Sequence, residues 1–273
     1  MKRAQLISAI VIGVVLAIGC GSKQDASATT GKHESSERPM QLAQTAATPT
    51  PAPSAQPSST GGSASIKGTV AFQGTAPASP IVKMDADPVC QQQHSGPVRT
   101  EEVVVNQNGT LKNVFVYVKE GAKGPFSTPG APVTLTQAGC WYSPHVFGIQ
   151  ANQPLEIVNS DPTLHNINAK PTKNQPFNVA QPTKGMKSTK KFTTPEIGVK
   201  FKCNVHPWMS AYAGVVDNPF FGVSDDAGTF TISGLPSGTY VLEAWHEKYG
   251  TQTQTVSVAD GEAKSVQFTF KAQ

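Results

Sequence analysis

The stretch Val199-Lys200-Phe201-Lys202-Cys203-Asn204-Val205-His206-Pro207-Trp208-Met209 decides what kind of protein this is. Val199, Phe201 and Cys203 alternate, so on a strand they share one face and bring the thiol inward at the strand end. The loop that follows supplies an imidazole at His206 and a thioether at Met209, at successive intervals of three residues. Thiolate, imidazole and thioether together suit copper, because soft sulfurs hold Cu(I) and imidazole also accepts Cu(II). A second imidazole stands upstream in Asn159-Ser160-Asp161-Pro162-Thr163-Leu164-His165-Asn166, directly after a strand expected over Leu155 to Val158.

Outward from this loop the pattern stays β. Ile66, Gly68, Val70 and Phe72 alternate, as do Val114, Val116 and Val118, and Leu135, Ile149, Leu155 and Ile157 belong to further short runs. No segment of helical length carries a sustained 3.6-residue stripe, and with 24 Gly, 22 Pro and 15% charged residues, long charged helices are excluded. The expected fold class is all-β, of sandwich or barrel type, with room for about two domains. Formal charge is +4, or +2 without Lys2 and Arg3, which is not the balance of a nucleic-acid-binding protein.

Residues from about 131 to 217 resemble the cupredoxin (blue copper) family, a Greek-key β-barrel. The Cys-x-x-His-x-x-Met spacing is that of the amicyanin type, and His165-Asn166 matches the amicyanin and plastocyanin pattern. The resemblance implies one mononuclear copper ion with His165, Cys203 and His206 as equatorial ligands and Met209 as weak axial ligand. It also implies that Asn166 steadies the Cys-bearing loop. Taken singly, a core Cys, a surface His and a filler Met are ordinary; together at this spacing they form a ligand set. A binuclear centre would need a second Cys near Cys203, and covalent haem a Cys-x-x-Cys-His motif; the sequence has neither.

Of four cysteines, Cys20 falls to lipid and Cys203 to metal, leaving Cys90 and Cys140, whose default in an oxidising compartment is a disulfide. The alternative joins Cys90, His94, Cys140 and His145 in a second metal site, since spacing alone does not show whether they converge.

Ser224-Asp225-Asp226-Ala227-Gly228-Thr229-Phe230-Thr231-Ile232 and Gly234-Leu235-Pro236-Ser237-Gly238-Thr239-Tyr240-Val241-Leu242 resemble the carboxypeptidase regulatory-like, transthyretin-type β-sandwich. The turn chemistry agrees, and Tyr240 and Leu242 share a face. The tail after Asp217 is short for such a sandwich, so its opening strands are expected at Ile66 to Val70 and Leu111 to Val118. On this reading residues 65–127 and 218–271 form one sandwich, with a cupredoxin domain at 128–217 inserted in it. Trp245 is expected in the sandwich core with His246 at its edge.

Residues 1–19 read as a signal peptide, with Lys2 and Arg3 ahead of an apolar run from Leu6 to Ile18 that is too short to span a bilayer. Its end, Leu16-Ala17-Ile18-Gly19-Cys20, resembles the bacterial lipobox, which implies acylation at Cys20 and a membrane anchor in the cell envelope, periplasmic or at the cell surface. Gly21 lacks the Asp that retains many such lipoproteins at the inner membrane, which favours the outer one. Residues 20–64 are poor in large apolar side chains and read as a disordered tether with a reach of about 35–40 Å.

Together these features describe a membrane-tethered blue-copper electron carrier, not an enzyme. A copper delivery or storage protein and a carbohydrate-binding surface module are the alternatives. Eight lysines between Lys170 and Lys202 (Lys170, Lys173, Lys184, Lys187, Lys190, Lys191, Lys200, Lys202), against Glu196 alone, point either to a solvated face or to steering of an acidic redox partner such as a c-type cytochrome. His206, beside Pro207 and Trp208, is expected at the exposed edge where such a partner docks.

Overall fold

Alternating apolar residues, punctuated by Gly, Pro and Asn, fold into sixteen strands in this computed structural model, which describes residues 61–272. The expected leader, the acylated Cys20 and nearly all of the tether lie outside the described residues. Among the described residues no helix is long and apolar enough to cross a membrane.

In chain order the first elements are β1 (Ala64–Gln73), a short helix α1 (Pro88–Gln92), β2 (Phe115–Glu120), β3 (Val133–Gln137), β4 (Tyr142–Ser143) and β5 (Val146–Gln150). There follow β6 (Leu155–Asn159), β7 (His165–Ala169), β8 (Phe177–Gln181), β9 (Lys187–Lys190), β10 (Glu196–Lys202) and β11 (Ser210–Val216). The last are β12 (Phe221–Val223), β13 (Thr229–Leu235), β14 (Gly238–His246), β15 (Gly250–Val258) and β16 (Ala263–Lys271).

Four sheets make two sandwiches. The first consists of β13-β1-β16 and β12-β2-β14-β15, closing on Ile66, Val70, Val116, Leu242 and Phe268. The earliest strands thus pair with the latest, β1 running parallel to β16 and antiparallel to β13. Strands β3 to β11 form the second, with sheets β5-β11-β10-β7-β8 and β4-β3-β6-β9 around Leu135, Ile157, Ile167, Phe192 and Phe201. Its parallel pairs, β3 with β6 and β5 with β11, require crossover connections.

A third apolar cluster joins the sandwiches. Phe115 and Tyr117 of β2, with Phe221 of β12 and Trp245 of β14, pack on Val146 of β5 and on Tyr212 and Val216 of β11. Gly148 and Gly214 are register partners here. A Cβ would stand 2.2 Å from the Phe115 ring at Gly214 and 2.3 Å from Phe221 at Gly148, so the close approach requires glycine at both.

Two expectations need correction. Tyr240, Leu242, Ala244 and His246 form the inward row of β14, which buries His246 beside Tyr249 and Phe270. Trp245 belongs to the outward row and lies against Tyr212, its ring 2.7 Å from where a Gly198 Cβ would stand. Trp245 is therefore packed between the sandwiches and not exposed as a carbohydrate-binding module would require of its aromatics. Secondly, not all of the 65–127 span expected in the first sandwich stays with it: the β1–β2 connection contains helix α1, which Asp87 caps by accepting from Val89 N and Cys90 N, with Pro88 as its first residue. Val82, Met84, Cys90 and Val98 of this connection pack into the core of the second sandwich.

Candidate metal centre

Strand β10 brings Val199 and Phe201 inward, and Cys203 follows one residue beyond its end with its side chain buried. The loop to β11 closes on itself: Met209 N donates to His206 O (3.0 Å), Cys203 N to Met209 O (3.3 Å) and His206 N to Cys203 Sγ (3.4 Å). Strand β7 pairs with β10 through Phe201↔Ala169 and Lys202↔Asn168, and this register carries His165 to the same end. Asn166 Oδ1 accepts from Asn204 N (2.9 Å), tying β7 to the Cys-bearing loop.

His165 Nδ1 and His206 Nδ1 lie 3.0 Å apart, with Cys203 Sγ 3.8 Å from the latter. All three donor atoms fall within 4.8 Å of one another, a spacing that suits metal bonds of about 2.0–2.3 Å to imidazole and thiolate. Met209 is fully buried in the core that contains Cys203. Two imidazoles, a thiolate and a nearby thioether are the donor set of a His₂Cys copper site with an axial Met, so the residues fit the metal that the sequence implies.

Burial alone would raise the Cys203 thiol, yet hydrogen bonds with His165 and His206 hold it down at about 6, so the thiolate form is accessible near neutrality. Burial opposes charge on His165 too, but Asp161 and the Cys203 thiolate bring it up to about 8. His206 is likewise raised against burial by Cys203 and Asp87. Each outer nitrogen meets a carboxylate: His165 Nε2 lies 2.8 Å from Asp161 Oδ2, and His206 Nε2 lies 2.9 Å from Asp87 Oδ2. Asp161 also accepts from Gly139 N and Cys140 N (2.8 Å each). Despite burial, these bonds keep both aspartates below the usual carboxylate range.

The four residues weighed for a second metal site do not converge as ligands. Cys90 and Cys140 form a disulfide (S–S 2.02 Å), leaving Cys203 as the free cysteine among the described residues. His94 Nε2 is engaged by Gly139 O (2.7 Å), and His145 Nε2 by Glu247 Oε1 (2.5 Å). His206 requires correction as the exposed docking edge: it is 2% exposed, covered by Asp87 and the disulfide. The exposed apolar residues beside the ligands are Leu164 (40%) and Val205 (44%).

Sequence reasoning missed Asp87, Asp161 and Tyr142, whose hydroxyl donates to Asn166 O (2.5 Å). Asp161 precedes His165 by four residues in the stretch already singled out. Asp87-Pro88 has the form of a helix start, but nothing local links it to His206, 119 residues away.

Among the described residues the fold is nearly all-β, in two sandwiches, one of which bears the Cys203 loop. Residues 219–271 match the family model of the carboxypeptidase regulatory-like domain. A comparison with curated proteins finds no match. Similar solved structures include a Cu-containing nitrite reductase from Thermus scotoductus, with 25% identity over 36% of this chain and 25% of the reductase (TM-score 0.30). A purple cupredoxin from Nitrosopumilus maritimus is 20% identical over 30% of this chain and 97% of its own (TM-score 0.26). An amicyanin variant in the Cu(I) form is 16% identical over 37% of this chain and 97% of its own (TM-score 0.28).

Proposed function

We propose that this protein is a mononuclear copper electron carrier, held to a bacterial envelope membrane by lipid at Cys20, and not an enzyme. The observation that carries the reading is the convergence of His165 Nδ1, His206 Nδ1 and Cys203 Sγ, with both outer nitrogens already engaged. Bound there, copper would supply a one-electron Cu(II)/Cu(I) couple. His165 and His206, anchored by Asp161 and Asp87, and Cys203, held by the loop hydrogen bonds, would hold the ion with little rearrangement between those states, which favours fast exchange. Asn166 and Tyr142 hold the strand end against the loop. Burial of the whole donor set suits retention of the ion better than its delivery to another protein.

Leu164, Val205 and the exposed Pro207 offer the apolar surface for an electron-transfer partner. The lysine-rich segment supports an acidic partner of the c-type cytochrome kind: Glu196, its one acid, is turned inward and accepts from Lys173 N and Asn174 Nδ2. The deciding experiment is an absorption spectrum of the purified protein titrated with Cu(II). An intense sulfur-to-copper charge-transfer band at one equivalent is the expected result; a colourless 1:1 complex would end the proposal.

A further inference from the structure

His206 is buried because residues 79–100 fold over it. The base of that segment is closed by the Ile81↔Arg99 bridge and by Val82 N donating to Val98 O (2.8 Å). At its crest, one carboxylate is divided between two tasks. Asp87 Oδ1 accepts from Val89 N (2.9 Å) and caps α1, while Oδ2 accepts from His206 Nε2 (2.9 Å) and Thr163 Oγ1 (3.1 Å). Three residues on, Cys90 is bonded to Cys140, and its Sγ lies 3.4 Å from the same His206 Nε2. Helix α1 cannot slide without drawing Asp87 off the imidazole.

We propose that Asp87 is the positioning residue of His206, and that the 79–100 segment is a disulfide-pinned cap through which it sets the reduction potential of the copper centre. The inference rests on the copper reading above. An Nε2–H donated to a carboxylate leaves Nδ1 unprotonated toward the centre and strengthens it as a donor, which favours Cu(II) over Cu(I). The same bond prevents the ring from rotating away when the metal is reduced.

Asp87→Asn retains an oxygen to cap α1 and places a neutral amide opposite Nε2. The blue band should persist, while the ratio of Cu(II) to Cu(I) affinity falls about tenfold, the lower end for loss of such a partner. For a one-electron couple that is a rise of about 59 mV. Asp85→Asn removes the same charge from an exposed position on the same segment and should leave the potential in place. In the Cu(I) form of the unmutated protein, NMR should show a slowly exchanging His206 Nε2 proton, and this arm decides the matter if Asp87→Asn does not fold. A potential that moves no further in Asp87→Asn than in Asp85→Asn, or an Nε2 proton exchanging at the solvent rate, overturns the inference. An unmutated protein without the blue band overturns the copper reading and this inference with it, whereas a blue protein with an unmoved variant overturns the inference alone.

Discussion

Glu247 Oε1 lies 2.5 Å from His145 Nε2, linking the β14–β15 hairpin of one sandwich to the start of β5 in the other. The opposite ring nitrogen of His145 faces Ser210 O at 3.1 Å, so both nitrogens meet acceptors and the imidazolium is favoured. Burial opposes the charge, but Glu247 outweighs it and holds His145 above its ordinary value. A raised value in the folded state means the contribution is complete below about pH 6.5 and is lost as pH rises through the folded value. Thermal stability should therefore fall as pH rises across that window, and His145→Gln should flatten the fall; an equal slope in both proteins would refute the assignment.

His246 works in the opposite sense. Burial pushes it down to about 4, and its Nδ1 accepts from Lys248 N (3.1 Å), which needs the neutral ring. The unfolded chain takes up this proton first, so up to about 3 kcal/mol of stability should be lost between pH 6.5 and 4. His246→Asn keeps an acceptor for Lys248 N without the titration, and denaturant midpoints measured across that range should vary less.

Cys203→Ser should abolish the charge-transfer band, and Met209→Leu should keep it while raising the potential, since the weak axial ligand tunes rather than creates the site. Voltammetry of the Met209→Leu protein checks the second statement.

The Cys90–Cys140 bond closes a loop across a sequence separation of 50. Its removal should cost about 2–5 kcal/mol by constraint of the unfolded chain. Cys90→Ala, with Cys140→Ala to avoid a stray thiol, should lower the denaturant midpoint of the metal-free protein and still bind copper with a blue band.

Charge reversal at the exposed Lys170, Lys184 and Lys191 should slow electron exchange with an acidic cytochrome at low salt and leave the copper spectrum intact. The difference should shrink as the Debye length shortens to about 8 Å near physiological salt. Stopped-flow rates against ionic strength give the answer; indifference to both variables would return the patch to a role in solubility. Lys187 and Lys190 are poorer choices, one paired with Glu156 at 3.1 Å and the other over the Phe177 ring.

The all-β class was legible because it follows from period-two alternation, and the pairing of Cys203 with His206 because both stand on one short loop; that His165 joins them was implied by the cupredoxin resemblance and not by any local signal. The row Tyr240, Leu242, Ala244, His246 was equally legible, and carrying the alternation two steps further would have placed Trp245 outside the core. Asp87 was not legible, because its role arises from folding of the 79–100 segment onto a loop more than 100 residues later. The Phe115 to Gly214 contact belongs to the same class: a strand glycine in sequence says that something approaches, not what.

Strand β1 sits at the middle of its sheet, between β13 and β16, yet about 150 residues separate it from the nearer of those partners in sequence. Whether the chain is being made or exported its N-terminus leads, so Ala64–Gln73 waits for its sheet partners with both of its edges open. Such late closure gives a high contact order and slow folding. Over the same interval β3 to β11 are complete and free to close their own sandwich, so the centre that holds His165, Cys203 and His206 is built before the last strands lock the first one in place.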